Sequence, residues 1–427
     1  MHICFVTTPI NYDRYPCGSS ALLIAIAKSQ GFRTSLVDIR FAKNMDISLI
    51  VAKIQEHNPD IVAFCSILGG FFLDQVHIIS SYFTDKIRIA GGPTFSSAMM
   101  PSFPLYDVFD VIFEGLSESA FLDWIKTGCP LDQKIIHGRG DFLPIVPDYF
   151  LHLQQNPYPY RRLCGRYVIT TEFSRGCRNK CDFCGSVACY YKSFIRKDID
   201  FFKHEVKSYA SNFGGLFIAS SLINHSLEDL EILCDVFESV NMLWGGMLQV
   251  MDIPDKLLDR MIKCGFRYTF IGIESFSESV CAKIGKHGQT GDKVKLIKNL
   301  FIRGVFTSMA LIVADEPYQT SDEFASDLHT FTQVAPYVCN PAFHPLGFSP
   351  ESSLFEKSKG LELILKASHD GSIYDGSVKK ADISFIEYYY MHSYKGRLSQ
   401  VEERRDLLLR LARLAGCYSF PMDDFFW

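Results

Sequence analysis

Three cysteines fall within eight residues of "SRGCRNKCDFCGS": Cys177, Cys181 and Cys184, spaced C-x3-C-x2-C, with Phe183 just before the last. Thiols so close in sequence hold metal or pair with one another. A closed structural zinc site takes four ligands, commonly as two separated C-x2-C pairs. A disulfide framework takes an even number of cysteines in a short secreted chain. A cubane iron–sulfur cluster takes one thiolate per iron, so three thiolates leave one iron open to another ligand. The remaining eleven cysteines form no second tight cluster, and Cys189 does not extend the first one. They read as ordinary core or surface thiols.

Two runs of alternating strands and helices surround this loop. From residue 1 to 127 the strands read "HICFVTT", "TSLVDIR", "DIVAFCSI", "KIRIAGG" and "DVIFEG", with helices near 19–30, 47–57, 71–83, 95–100 and 117–127. Such alternation predicts a parallel sheet covered on both faces, a flavodoxin-like or Rossmann-like domain that binds its ligand at the strand C-termini. Residues 128–166 are rich in Gly, Pro and aromatics and read as an extended linker. From 167 to about 350 six strands recur: "YVITTEF", "GLFIAS", "LWGGMLQV", "YTFIGIE", "TSMALIV" and "AFHPLGF". Helices at 198–211, 226–239, 254–264, 276–284, 290–303 and 321–333 separate them. This is the pattern of a partial (β/α)6 barrel, and the cysteine loop follows its first strand, at the end where barrel sites lie. Residues 351–427 read as a small helical C-terminal domain, with "QVEERRDLLLRLARLAG" showing helical periodicity and a Gly stop.

The totals restrict the function classes. The chain has 427 residues, 48% of them hydrophobic, and a formal charge of -5, so no broad basic field points to nucleic acid. The N-terminal stretch lacks the basic region of a signal peptide, and no apolar run reaches the length of a membrane span. A cytoplasmic protein without membrane or nucleic-acid partners is expected, its thiols kept reduced.

The cysteine loop, its place after the first barrel strand and Phe183 together resemble the radical S-adenosylmethionine (SAM) superfamily. The resemblance implies a [4Fe-4S] cluster on Cys177, Cys181 and Cys184, with the open iron chelating the amino and carboxylate groups of SAM. One electron then yields a 5′-deoxyadenosyl radical, and an electron donor such as flavodoxin or ferredoxin is implied as partner. "YTFIGIES" resembles the fourth-strand segment of the superfamily's cobalamin-associated branch and offers Glu274 and Ser275 as contacts to SAM. The alternative for this segment is a Ser N-cap in a capping box. After the second strand, where relatives carry an acidic residue, Ser220 and Ser221 stand instead, and Ser220 is the candidate contact. After the fifth strand only Pro317 and Thr320 of the family's turn remain, beside Ala314, Asp315 and Tyr318.

The N-terminal segments "YPCGSSALLIAIAKSQGF", "DIVAFCSILGGFF", "RIAGGPTFSS" and "FEGLSESAFLDWI" resemble the cobalamin-binding domain that precedes many such barrels. Gly91 and Gly92 would let a phosphate or tail approach the backbone, and Thr94 would add a hydroxyl. The D-x-H-x-x-G motif of histidine-ligating domains is missing; Asp74 and His77 are misspaced for it. His77 is therefore expected on a helix and not on cobalt. The lower corrin face would meet the loops around Ser66 to Phe72 and Thr8 to Cys17.

Together these features imply a cobalamin-dependent radical SAM enzyme. The favoured activity is methylation of an unactivated carbon in a small metabolite or peptide. The alternatives are a cyclase, rearrangement enzyme or epimerase that moves no methyl, and a non-catalytic cobalamin or SAM sensor. The aromatics Tyr388 to Tyr390 and Phe425, Phe426 and Trp427 are the tail's candidates for substrate contact.

Overall fold

The structure is a computed structural model; it describes residues 1–7, 15–39, 46–65, 73–92, 107–154, 160, 162–163, 165–184, 194–347, 352–357, 363–366, 373–374, 391–393 and 398–417. The chain divides into two compact units, one running to Tyr160 and the other carrying the barrel-like part.

The first unit is built on six parallel strands. They are β1 (His2–Thr7), β2 (Arg33–Asp38), β3 (Ile61–Cys65), β4 (Ile87–Gly91), β5 (Val111–Glu114) and β6 (Ile135–His137). Their order is β2-β1-β3-β4-β5-β6, so the direction of winding reverses between β1 and β3. Helices α1 (Gly18–Ser29), α2 (Ile47–Glu56), α3 (Leu73–Ser81) and α4 (Glu118–Lys126) supply the crossovers. Side chains alternate across the sheet as a strand requires. Cys4, Val6, Val62 and Phe64 enter one core with Val51, Ile54, Val76 and Ile79 of α2 and α3. Ile3, Phe5, Ile61 and Ala63 enter the other with Ile24, Phe121 and Trp124 of α1 and α4.

Five strands are expected from the sequence; the sixth, β6, comes from the stretch read as linker. It is three residues long, too short for a periodicity to register, and pairs through Ile112↔Ile135 and Glu114↔His137. Gly138 lets it close on β5, since a Cβ there would lie 2.1 Å from the Leu116 carbonyl oxygen. Beyond it, α5 (Phe150–Gln154) is fastened by a fully buried polar chain. His152 Nε2 meets Ser20 Oγ at 2.9 Å, its Nδ1 lies 3.5 Å from Asp38, and Tyr160 donates to Asp38 at 2.7 Å.

The second unit carries a sheet in the order β15-β14-β13-β12-β11-β8-β7. Its strands are β7 (Arg162–Leu163), β8 (Arg166–Thr171), β11 (Gly215–Ile218), β12 (Leu243–Leu248), β13 (Phe266–Glu274), β14 (Phe306–Val313) and β15 (Ala342–Pro345). Only β7 is antiparallel, and it extends the edge beyond β8. The other six are parallel and adjacent in chain order, and no pairing among the described residues joins β15 back to β8. This is the partial barrel that the alternating pattern predicts. A two-stranded ribbon, β9 (Ser174–Arg175) with β10 (Ile195–Arg196), brackets the cysteine loop.

The covering helices are α6 (Ile199–Ala210), α7 (Leu227–Phe237), α8 (Asp255–Lys263), α9 (Glu278–Lys283), α10 (Thr290–Ile302) and α11 (Ser321–Val334). Two start in full capping boxes, Ser226 with Asp229 and Thr320 with Glu323, which satisfy backbone donors at the strand-end face. The tail is not helical throughout. Besides α12 (Ser353–Lys357) and α13 (Leu398–Leu414) it forms a three-stranded antiparallel sheet of β16 (Leu363–Lys366), β17 (Ile373–Tyr374) and β18 (Met391–Ser393). Strands this short carry no periodicity that sequence could show. Arg404 of α13 donates to the carbonyl oxygens of Ala314 and Gln319, holding the turn after β14. No described helix is long and apolar enough to cross a membrane.

The glycine pair in β12 is structural. A Cβ on Gly245 would lie 2.3 Å from the Tyr268 carbonyl oxygen, and one on Gly246 would lie 2.5 Å from Ile223 Cγ2. Gly245→Ala is expected to destabilise the protein by about 1–3 kcal/mol, the usual cost of overpacking, read as a lower urea midpoint at unchanged m-value.

Candidate active site

The cysteine loop leaves the C-terminal end of β8, and its described residues 176–184 have no helix or strand, so other elements must hold them. The first anchor is Ser220, just past β11: its buried Oγ accepts the N–H groups of Phe173 (3.0 Å) and Ser174 (2.9 Å). The second lies past β12, where Gln249 and Asn224 bond each other through backbone and side chains and Gln249 Oε1 accepts from Asn179 at 2.7 Å. The third is Asp182, between the second and third cysteines. Its N–H donates to Ile284 O (3.0 Å), and its carbonyl accepts from Leu354 N (2.8 Å). Its carboxylate takes Ser353 Oγ and Lys357 Nζ of α12, each at 2.6 Å. Burial pushes the Asp182 carboxyl up, but these two donors outweigh it and hold it below its ordinary value. Gly285, at φ +67°, gives the room: a Cβ there would sit 3.0 Å from Asp182.

Held in this way, Cys177, Cys181 and Cys184 are half-buried free thiols facing one electrostatic neighbourhood. Burial raises Cys177 and raises Cys181 to about 11, while the nearby Lys286 ammonium pulls both down. Among the described residues no three His, Cys, Asp or Glu side chains gather tightly enough to enclose a single metal ion. Three thiols on one loop with a cation beside them suit a cluster in which each sulfur serves its own iron.

Glu274 ends β13 beside this triad. The strand register shifts between Gly272 and Glu274, and Glu274 takes φ +63°, a costly conformation for a residue with a Cβ. Its carboxylate folds back over Gly272, whose imagined Cβ would lie 2.5 Å from Glu274 Oε1 and 3.2 Å from Lys286 Nζ. That explains the glycine two positions before the glutamate: both project on one face of the strand. Lys286 Nζ donates to Oε1 at 3.5 Å. Burial pushes the Glu274 carboxyl up, opposed by Lys286; burial pushes Lys286 down, but Glu274, Cys181 and Cys177 more than restore its charge.

The turn after Glu274 is organised by Asp327 of α11. Its carboxylate accepts from Ser275 Oγ (2.7 Å), Phe276 N (2.5 Å), Ser277 N (3.0 Å) and Gln319 Nε2 (2.8 Å). Lys293, fully buried in α10, donates to Ser275 O at 2.5 Å and to Cys281 Sγ at 3.1 Å.

The expected site residues therefore separate. Cys177, Cys181, Cys184 and Glu274 lie together. Ser220 and Ser275 are both buried, and their oxygens are used by the loop backbone and by Asp327. Ser275 does not cap a helix; Ser277 does, accepting from Val280 N. Sequence reasoning missed Lys286, Asp327 and Lys293. Lys286 sits in the turn "GKHG" and gives no signal. Asp327 and Lys293 had one: each interrupts an apolar helical stripe, with Phe324, Phe331 and Val334 or with Leu296, Ile297 and Leu300.

In the first unit, Gly91 ends β4 and Gly92 follows at φ +137°. At the winding reversal the buried Thr7 hydroxyl, ending β1 opposite Cys65, has no hydrogen-bond partner among the described residues. A polar group left unmatched at this edge fits a ligand there. His77 is exposed on α3. Thr94, Ser66 to Phe72, Thr8 to Arg14, Cys189, Tyr388 to Tyr390 and Phe425 to Trp427 lie outside the described residues.

The fold is similar to that of solved cobalamin-dependent radical SAM enzymes. The chain is similar to the radical SAM methyltransferase TsrM from Kitasatospora setae, solved with tryptophan substrate and a SAM analogue. That match has a TM-score of 0.69 at 13% identity and covers 96% of this chain and 88% of TsrM. A second TsrM structure, with cobalamin and a [4Fe-4S] cluster bound, matches at a TM-score of 0.67 and 14% identity over 97% of this chain and 88% of that one. The cobalamin-dependent SAM radical enzyme OxsB, solved with aqua-cobalamin and SAM, matches at a TM-score of 0.68 and 14% identity, over 96% of this chain and 66% of OxsB. No protein-family model and no curated protein sequence matches the chain.

Asp327→Ala would leave the Phe276 N–H, the Ser275 hydroxyl and the Gln319 side-chain amide without their acceptor in a buried turn, while Ser277 N–H keeps Ser275 Oγ. At about 1–3 kcal/mol for each group that water cannot reach, thermal stability should fall markedly, and Asp327→Asn should recover part of it. Calorimetry of the three proteins checks the order.

Proposed function

We propose that this chain is a cobalamin-dependent radical SAM enzyme, and specifically a methyltransferase acting on an unactivated carbon of a small metabolite or peptide. The observation that carries the reading is the half-buried thiol triad braced beside a buried Glu274–Lys286 pair at the mouth of a partial barrel. When bound, the cluster and the cobalamin would supply reductive cleavage of SAM and a transferable methyl group.

The chain's own residues would do the rest. Cys177, Cys181 and Cys184 would hold the cluster and leave one iron for SAM. The Lys286 charge would favour the ionised forms of Cys177 and Cys181, offsetting the burial that opposes it. Glu274 would accept hydrogen bonds from the SAM nitrogen, with Asp327 fixing the turn that presents it. The strand-end edge of the first unit, with Gly91, Gly92 and Thr7, would take the cobalamin. Ser66 and Thr94 belong to the loops proposed to surround it. An electron donor such as flavodoxin or ferredoxin would supply the reducing equivalent.

The methyl-transfer reading is supported by the likeness to TsrM, a methyltransferase. A reaction that moves no methyl is the second reading, because OxsB matches about as well and carries no such description.

In anaerobically reconstituted protein, Cys177→Ala, Cys181→Ala and Cys184→Ala should each lose the charge-transfer absorbance and all SAM cleavage. A single variant with full cleavage would overturn the assignment. Detection of a methylated product, against 5′-deoxyadenosine without one, separates the two enzymatic readings.

Cobalamin uptake has its own test. The wild type should take up one equivalent, and His77→Ala should leave its visible and EPR spectra unchanged. Gly92 is a poor probe, since any side chain strains its left-handed backbone. A Cβ at Gly91 meets only Phe113, at an ordinary 3.4 Å. Gly91→Ala should therefore weaken uptake without lowering thermal stability; unchanged uptake would move the cobalamin away from this strand end.

A further inference from the structure

The barrel-like sheet has one face turned to its helices and one to the candidate site. Gly272, Ala310 and Ala342 lie side by side in register on β13, β14 and β15, so they share a face. It is the face of the site, because Glu274 folds back over Gly272. The alternate positions face the helices: Met309 and Leu311 are buried there, and Phe343 meets Phe331 of α11 at 5.3 Å. Alternation therefore puts His344 on the site's face, in register with Ile312 and two strands from Glu274. Two strand spacings separate their backbones by about 10 Å. Between them the face is apolar, with Ala310 and Ile312 on β14 and, one step deeper, Phe270 and Met247.

His344 is the polar exception on this stretch of β15. It is exposed, yet enclosing protein and the Arg405 charge hold its imidazole below its ordinary pKa. A side chain both accessible and desolvated lines a concavity. Uncharged, the ring offers one N–H donor and one acceptor nitrogen, and neither has a hydrogen-bond partner among the described residues. Arg405 of α13 stands at the free edge of β15, where its Nε donates to Phe343 O at 3.2 Å. Its two Nη groups meet no acceptor among the described residues. A guanidinium near a neutral imidazole N–H fits a carboxylate, and the apolar stretch beside them fits hydrocarbon or aromatic surface.

Resting on the radical SAM reading above, and giving it a substrate class, we propose that the substrate has an apolar body and a carboxylate, and that His344 and Arg405 hold the carboxylate. The body lies along Ile312, Ala310 and Phe270, on the side toward Glu274. His344 and Arg405 are then specificity determinants that reject the same molecule with its carboxylate neutralised.

NMR of full-length, anaerobically reconstituted, SAM-loaded protein, labelled in its histidine rings, tests this. The His344 signal is the one lost in His344→Gln. The probes are phenylacetate and phenylacetamide, which match in shape and differ in charge. Phenylacetate should shift the His344 signal and raise its titration midpoint, because a carboxylate favours the imidazolium form. Phenylacetamide should do neither. Arg405→Gln should weaken phenylacetate by about tenfold or more, the scale of a charged hydrogen bond, and leave phenylacetamide unchanged. If Arg405→Gln loosens α13, the comparison of the two probes on the wild type decides alone. Equal response to both probes, or response to neither, in protein that still binds and cleaves SAM overturns the carboxylate site and leaves the SAM reading intact. Protein that loads a cluster but neither binds nor cleaves SAM overturns that reading itself.

Discussion

The second unit depends on one constraint: three thiols on an irregular loop have to be kept at fixed places. A helix or strand would fix them by its own hydrogen bonds, but a loop of this kind has none to spare. The barrel supplies the bonds from outside, through Ser220 past β11, Gln249 past β12, Ile284 past α9 and Ser353 and Lys357 in α12. These anchors come from residues 175 positions apart at the extreme, as between Asp182 and Lys357. The sheet order makes this economical. Strands laid down in chain order bring successive strand ends to one face, so each following loop can contribute a contact.

Charge is arranged on the same plan. A buried triad of thiols resists ionisation, and the resistance shows in Cys177 and Cys181. Lys286 counters it, and in turn is kept charged by Glu274 and by the thiols themselves. Behind Glu274, Asp327 is almost surrounded by donors, although burial still leaves its carboxyl raised. The strain in Glu274 is tolerable because the turn beyond it is pinned by Asp327 and Lys293. Rigid support around a reactive centre is what preorganised catalysis requires.

The first unit applies a different rule to a similar end. Both faces of its sheet are filled by apolar side chains from alternate positions, so polar groups concentrate at the strand ends. The reversal between β1 and β3 opens a crevice there. The buried chain of Ser20, His152, Asp38 and Tyr160 is a tie rather than a site, since water reaches none of the first three. It fixes residues 148–160 to the unit, which is why a segment rich in proline and aromatics does not behave as a free linker.

The sequence alone determined what local pattern and short spacing can encode. Apart from β6 and the helix expected at 95–100, which lies outside the described residues, the alternation of strands and helices appeared as read, because burial on two faces leaves a periodic signature. The cysteine triad was visible because its thiols lie within one loop, and Glu274 because "YTFIGIES" resembles a known strand-end segment. Tertiary structure decided everything that depends on residues far apart in the chain. Lys286 joins the thiols only after α9 folds back across the loop. Asp327 reaches Ser275 across 52 positions and takes up its hydroxyl. Ser220 is likewise consumed by a loop that begins 46 residues earlier. The strands β6, β16, β17 and β18 are too short to carry a period, so only pairing with distant partners makes them strands. A hydrogen-bond partner is a matter of distance in space, and sequence records distance only along the chain.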